Sequence, residues 1–229
     1  MSLYWFIFIV LMVVSLIVSQ TLQVRFKKYS REINPGGLTG KQIAEKMLYD
    51  NGITDVKVTS TRGTLTDHYN PITKTVNLSE SVYSSNSVAA AAVAAHECGH
   101  AVQHARGYAW LKMRSSLVPV VSFGSKWSQW LLLIGLLLLS FSHLGFGILI
   151  AGIVLFALTT LFSFITLPVE YNASARALQW LESTGITVGV AHDHAKDALK
   201  WAARTYVVAA LSSLATLLYY IAIAFGRRE

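Results

Sequence analysis

Five consecutive residues, His96-Glu97-Cys98-Gly99-His100, place two imidazoles and a carboxylate at HExxH spacing inside a stretch rich in helix-forming alanines at 89–92, 94 and 95. On an α-helix, residues four apart are separated by about 400° of rotation, so both imidazoles leave one face within reach of a single ion. Glu97 sits one residue round, close enough to take a proton from a water at that ion, and the chemistry this points to is zinc-dependent hydrolysis. A pentapeptide also arises by chance, in which case the histidines would be polar residues on an amphipathic helix and Glu97 a solvated charge. The surroundings favour the chemical reading. Asn86 is expected to cap the helix, the run continues through Gln103 and Ala105, and Gly107 supplies a C-terminal stop. The chain has one cysteine, Cys98, so it forms no intramolecular disulfide. As a third ligand Cys98 would point away from the His96/His100 face, and as a nucleophile it has no separate base. It is expected to be a small buried helix residue.

The elements that must position these residues are set by composition. Of 229 residues, 53% are hydrophobic and only 14% charged, too apolar for an ordinary soluble domain of this size. The predicted architecture is a mainly α membrane protein with about four transmembrane helices and a small α+β domain at the membrane face. Its divisions are a first span at 1–19, an α+β region with the HExxH helix at 20–117, a second span at 118–141, a third at 144–167, a helical region at 168–205 and a fourth span at 206–225. The three later runs are long enough to cross about 30 Å of hydrocarbon. Residues 3–18 are short but uncharged. They lack the basic flank and small-residue cleavage site of a signal peptide, so they read as an anchor.

Orientation follows from the basic residues, which are enriched on the cytoplasmic side. Residues 19–117 and 168–205, with Lys126 near a boundary, hold 17 of the 19 Lys and Arg; Arg227 and Arg228 are the others. This places the HExxH region in the cytoplasm, both termini and the Ser142-His143 turn outside, and the protein in the plasma membrane. Arg25, Lys27, Lys28 and Arg31 are the strongest local signal. Lys126 lies about 22 Å from Phe141 along a helix, where it can snorkel to the cytoplasmic interface beside Trp127 and Trp130. The net charge of +7 has no stacking-aromatic motif with it, so the partner it implies is the lipid bilayer with its anionic head groups and not nucleic acid.

Between the first span and the motif, Pro35-Gly36-Gly37 breaks the chain. Thr39 opens a helix with Gln42 in capping-box position, and Asn51-Gly52 ends it. Residues 55–60 alternate as a strand, and 65–69 with 75–79 form a hairpin around 70–74. An edge strand beside the site can bind an extended peptide through its backbone, or the sheet can simply pack the helix. Catalytic zinc usually takes three protein ligands, and Glu170 is the choice for the third. Two spans leave and return between His100 and Glu170, so both segments emerge on one face. Pro168 suits a first helical turn, with that helix running to about Leu181, and Ser174 lies on Glu170's face as a candidate hydrogen-bond partner of the site. The alternative for Glu170 is a carboxylate favoured by a helix N-terminus.

These residues resemble a family, the YugP-type membrane zinc metallopeptidases, more distantly similar to the HtpX and CAAX prenyl protease gluzincins. Several passages carry the resemblance in order along nearly the whole chain: Leu65-Thr66-Asp67-His68-Tyr69-Asn70-Pro71, Val76-Asn77-Leu78-Ser79-Glu80, the HExxH segment through Gln103, Glu170-Tyr171-Asn172-Ala173-Ser174 and Ala202-Ala203-Arg204-Thr205-Tyr206. The resemblance implies that the small α+β domain is a gluzincin-like metalloprotease domain, with one Zn2+ per chain held by His96, His100 and Glu170, Glu97 as catalytic base, and hydrolysis of peptide bonds in a protein or peptide substrate near the membrane. Asn172 joins Ser174 as a candidate partner of the ligands; Asn172 often has an aspartate counterpart in the family, and Ser174 stands where the HtpX group carries aspartate. Donors for a developing oxyanion are His68, Tyr69, Tyr171, His192 and His194 by chemistry alone. His192 and His194 also fit an exposed helix start, and His104 and His143 are expected to be bystanders. Proteolysis within the bilayer is disfavoured because Glu80, Asn86, Gln103, His104 and Arg106 surround the motif. The alternative function is a zinc-binding membrane scaffold or assembly factor without essential proteolysis, against which the intact Glu97 weighs.

Overall fold

The computed structural model describes residues 3–139 and 142–226. In chain order its elements are α1 (Leu3–Tyr29), α2 (Gly40–Asp50), β1 (Lys57–Thr61), β2 (His68–Asn70), β3 (Thr75–Ser79), α3 (Glu80–Tyr83), α4 (Val88–Ala105), α5 (Ala109–Leu138), α6 (His143–Ser183) and α7 (Gly189–Gly226). The protein is mainly helical with one small mixed sheet. Among the described residues, α1, α5, α6 and α7 are long and apolar enough to cross a membrane. The predicted end of the second span at Phe141 and the pair Arg227 and Arg228 lie outside the described residues.

The chain divides into two compact units, the first from Met1–Ile17, Met113–Leu167 and Thr205–Glu229, the second from Val18–Lys112 and Pro168–Arg204. In the first unit, α5 and α6 meet through small residues. A Cβ added at Gly135 would fall 2.4 Å from the Leu149 backbone nitrogen, and one at Gly152 would fall 2.8 Å from that of Leu132. Apolar burial between helices is no driving force in lipid, so close backbone approach and dispersion hold such a crossing together. Gly124 belongs to the same buried stripe, whereas Ser122, Ser125 and Lys126 are exposed.

The second unit carries the sheet and the motif. Its core is α4, whose alanines at 89–92, 94 and 95 are at most 1% exposed. A helix apolar on all sides is one that is surrounded. α2 packs the stripe Ile43, Ala44, Met47 and Leu48 into this core, and each large side chain so buried contributes about 1.5–3 kcal/mol. Thr39 caps α2 through a complete capping box with Gln42. The cap of α4 is Ser87, whose side chain accepts from the Ala90 N–H, one residue after the expected Asn86. Asn86 serves through its carbonyl instead, which accepts from the Asn34 side chain at 2.6 Å.

Strand order is β1-β3-β2. β2 and β3 form the antiparallel hairpin with Tyr69 opposite Val76, while β1 lies parallel to β3 with Val58 opposite Val76. β2 is shorter than the alternating pattern suggested, beginning at His68, because Leu65 takes a left-handed φ of 59° and breaks the strand. Asp67 then pins the approach, its carboxylate accepting from the Ser79 N–H at 2.7 Å.

α6 differs from expectation more clearly. Pro168 does not open a new helix; α6 runs through it to Ser183. Val169, Ala173, Ala177 and Leu181, spaced four apart, are all 0% exposed in the core of the second unit. Burial of that stripe outweighs the one backbone hydrogen bond a proline removes.

Candidate metal centre

Three groups that could hold a metal converge from α4 and from the part of α6 that lies in the second unit. α4 presents His96 and His100 one turn apart, their rings 4.8 Å between centroids and nearly perpendicular. α6 brings Glu170 against them, its Oε2 lying 3.3 Å from His96 Nε2 and 3.6 Å from His100 Nε2. All three ligand atoms fall within 4.8 Å of one another. Zinc bonds of about 2.0–2.1 Å arranged tetrahedrally would set neighbouring donors roughly 3.3–3.5 Å apart, close to the two distances from Glu170 to the histidines. His-His-Glu is also a donor set that zinc accepts, with a fourth position left over.

The hydrogen bonds behind the rings sharpen this fit. Ser174 Oγ lies 3.1 Å from His96 Nδ1, and Gln103 Oε1 lies 3.1 Å from His100 Nδ1. With Nδ1–H donating outward, a neutral ring presents the bare Nε2 lone pair inward. Three lone-pair-bearing atoms then face one another, and they repel unless a positive charge sits among them. A proton on the rings can supply that charge in place of a metal, and the electrostatics show the same demand for it. Burial alone would push the Glu170 carboxyl up, but the hydrogen bonds from His100 and His96 outweigh it and hold that carboxyl well below the usual range. Burial alone would depress His100, yet the hydrogen bond to Glu170 and the charge of Glu97 raise it. His96, His100 and Glu170 together can hold a metal ion.

Glu97 is buried beside this cluster without belonging to it. Its Oε2 accepts from the Tyr69 backbone N–H at 2.9 Å, so the edge strand β2 holds the carboxylate. The Tyr69 hydroxyl in turn pairs with His104 Nδ1 at 2.8 Å. His104, expected to be a bystander, thus ties β2 to the far end of α4.

Other candidates are spread more widely. His68 is engaged within the hairpin, Nδ1 with the Thr66 carbonyl just before β2 at 2.8 Å and Nε2 with the Asn77 side chain on β3 at 3.2 Å. Tyr171 is half exposed, next to Glu170 in sequence. Asn172 Oδ1 accepts from Gln103 Nε2 at 3.0 Å and from Arg176 Nε at 2.8 Å. His194 stacks on Tyr29 and meets Glu32 at 2.6 Å, and His192 lies 3.1 Å from Thr187 Oγ1, so both are tied into the helix packing at the start of α7. His143 is exposed at the first residue of α6. Cys98 is fully buried with its Sγ–H donating to the Ala44 carbonyl, and burial pushes its thiol far above the ordinary value.

Sequence reasoning passed over Gln103 and Arg176. The available signal was spacing, since Gln103 follows His100 by three residues on one helix, and the structure buries it completely at 0% exposure. Such an amide needs partners, and the nearest polar group one turn back is His100.

Comparison with known proteins agrees with this geometry. A family model described as "Putative neutral zinc metallopeptidase" matches residues 4–225. The "Putative membrane protease YugP" of Bacillus subtilis (strain 168) is 44% identical over 204 residues, covering 89% of this chain and 88% of the relative. No solved structure matches. With the match running through both the HExxH helix and the Glu170 segment, the chain belongs to the family of putative neutral zinc metallopeptidases.

Proposed function

We propose that this protein is a membrane-bound zinc metalloendopeptidase in which His96, His100 and Glu170 hold the ion and Glu97 is the general base. The observation that carries this reading is the convergence of three ligand atoms at zinc spacing with a separate, buried carboxylate one residue from His96. A zinc ion held there supplies Lewis acidity, which acidifies a water and polarises a carbonyl oxygen. Every other task falls to the chain. Tyr69 N–H engages one oxygen of Glu97, fixing the carboxylate while its other oxygen takes the water's proton and delivers it to the leaving amine. β2 is an edge of the sheet, and its Tyr69 N–H is directed at α4, so its outer side faces the site. An extended peptide laid along that edge would be held through its backbone. Among His68, Tyr69 and Tyr171, the first two have their polar side-chain atoms engaged, which leaves Tyr171 as our candidate donor to the oxyanion.

The test uses the full chain in detergent or nanodiscs. One zinc per chain, hydrolysis of an unstructured protein substrate, loss of both on chelation and recovery on adding zinc are expected. Stoichiometric zinc with no cleavage of any peptide or protein offered would overturn the peptidase reading.

The distribution of basic residues supports a cytoplasmic second unit and an external start of α6. This makes a labelling prediction. The native thiol is buried, so it stays silent to an impermeant maleimide. Cysteine introduced at His143 should label on intact cells, and cysteine at Ile72, which is 92% exposed, only after permeabilisation. The reverse pattern would invert the topology.

A further inference from the structure

We propose that Gln103 is a positioning residue of the metal centre, fixing the His100 ring and tying the helix turn that carries it to the helix turn that carries Glu170. The inference rests on the reading of His100 and Glu170 as ligands. Gln103 is wholly buried, where a primary amide is costly unless every polar atom is matched. Each one is. Nε2 donates to the Val169 carbonyl at 2.8 Å and to Asn172 Oδ1 at 3.0 Å, and Oε1 lies 3.1 Å from His100 Nδ1.

Those partners determine more than Gln103 itself. Both contacts of Nε2 are with oxygen acceptors, so the amide cannot be flipped, and the atom facing His100 is the acceptor. His100 must therefore carry its proton on Nδ1, which leaves a neutral ring with its Nε2 lone pair free on the side of Glu170, 3.6 Å from Oε2. The same amide reaches the carbonyl of Val169, the residue before Glu170 on α6. Asn172 is oriented independently, because its Oδ1 also accepts from Arg176 Nε at 2.8 Å. The chain Arg176, Asn172, Gln103, His100 thus runs from α6 to a ligand on α4 with every donor and acceptor in its place. A methionine or leucine would fill the Gln103 site with no polar group to bury, so the amide serves its hydrogen bonds.

The experiment measures zinc Kd by chelator competition on the full chain, alongside kcat and KM, with circular dichroism and melting of the metal-free protein as fold controls. Gln103→Leu is expected to weaken zinc binding by about 10- to 100-fold. Asn172→Leu, which strips an acceptor from Gln103 and Arg176, should cost about tenfold, whereas Asn172→Asp keeps that acceptor and should stay within about threefold of the parent. The double variant Gln103→Leu/Asn172→Leu should be no weaker than Gln103→Leu alone, since both act through one path. Zinc Kd unchanged in Gln103→Leu, additive losses in the double variant, or Asn172→Asp as weak as Asn172→Leu would each overturn the proposal. Should Gln103→Leu fail to fold, the Asn172 pair still decides it. His100→Ala separates the two levels: zinc lost there but retained in Gln103→Leu defeats only this inference, and zinc retained in His100→Ala defeats the ligand assignment beneath it.

Discussion

Replacing Glu97 with Gln is expected to leave one zinc bound per chain while lowering kcat for peptide hydrolysis by about a thousandfold, within the range attributed to a positioned general base. That corresponds to roughly 4 kcal/mol of transition-state stabilisation. The isosteric amide can still turn its oxygen toward the Tyr69 N–H, which now contacts Glu97 Oε2 at 2.9 Å, so the strand contact and local packing survive. The remaining NH2 cannot accept a proton from water. Zinc should stay because Glu97 is not one of the three converging ligand residues. Metal analysis of the purified variant and steady-state kinetics on the same preparation check both halves. Activity within tenfold of the parent would remove Glu97 from the mechanism, and loss of zinc would make it a ligand. If the variant loses hydrolysis yet fully sustains the protein's cellular role, the zinc-binding scaffold is the better account.

The parts of this site that were legible in the sequence are those fixed by local geometry or by chain direction. His96 and His100 must share a face because a helix turns through 100° per residue, and the paired spans bring the segment with Glu170 back to the side that His100 left. The partners of Tyr69, His104 and Gln103 were not legible, because each lies on a different element and the pairing is set by packing. Alternation located the strands but not their order. Consecutive strands suggest a meander, whereas β1 skips β2 and pairs in parallel with β3. Leu65, apolar and in phase with the strand pattern, gave no sign of its left-handed backbone. Pro168 misled for a related reason. Its local cost is real, but the stripe Val169, Ala173, Ala177 and Leu181 contributes more than one lost backbone bond, and only the fold reveals what that stripe packs against.

Gly99→Ala carries the other large expectation, and here two effects oppose each other. Alanine in place of glycine inside a helix normally stabilises by about 1 kcal/mol. At position 99 the added Cβ would stand 2.6 Å from the carbonyl oxygen of Ala173 and 3.1 Å from its Cα, both backbone atoms of α6 that no rotamer change can move aside. Relief requires the two helices to separate by several tenths of an ångström, and overpacking of this kind costs about 1–3 kcal/mol, enough to reverse the propensity gain. The displacement falls in the worst place for the metal. Gly99 precedes His100 on α4, and Ala173 lies between Glu170 and Ser174 on α6, so parting the helices lengthens the 3.3 Å and 3.6 Å approaches of Glu170 to the histidines. A zinc site tolerates about 0.2 Å in its bond lengths. The expected result is zinc affinity at least tenfold weaker and a lower melting temperature. Gly147→Ala is the matched control, since an added Cβ there meets nothing within 4 Å and the propensity term should act alone. It should leave zinc affinity unchanged and raise the melting temperature slightly. Parent-like zinc binding in Gly99→Ala would mean that the contact between α4 and α6 does not set the geometry of the site, and that Glu170 follows the histidines by some other constraint.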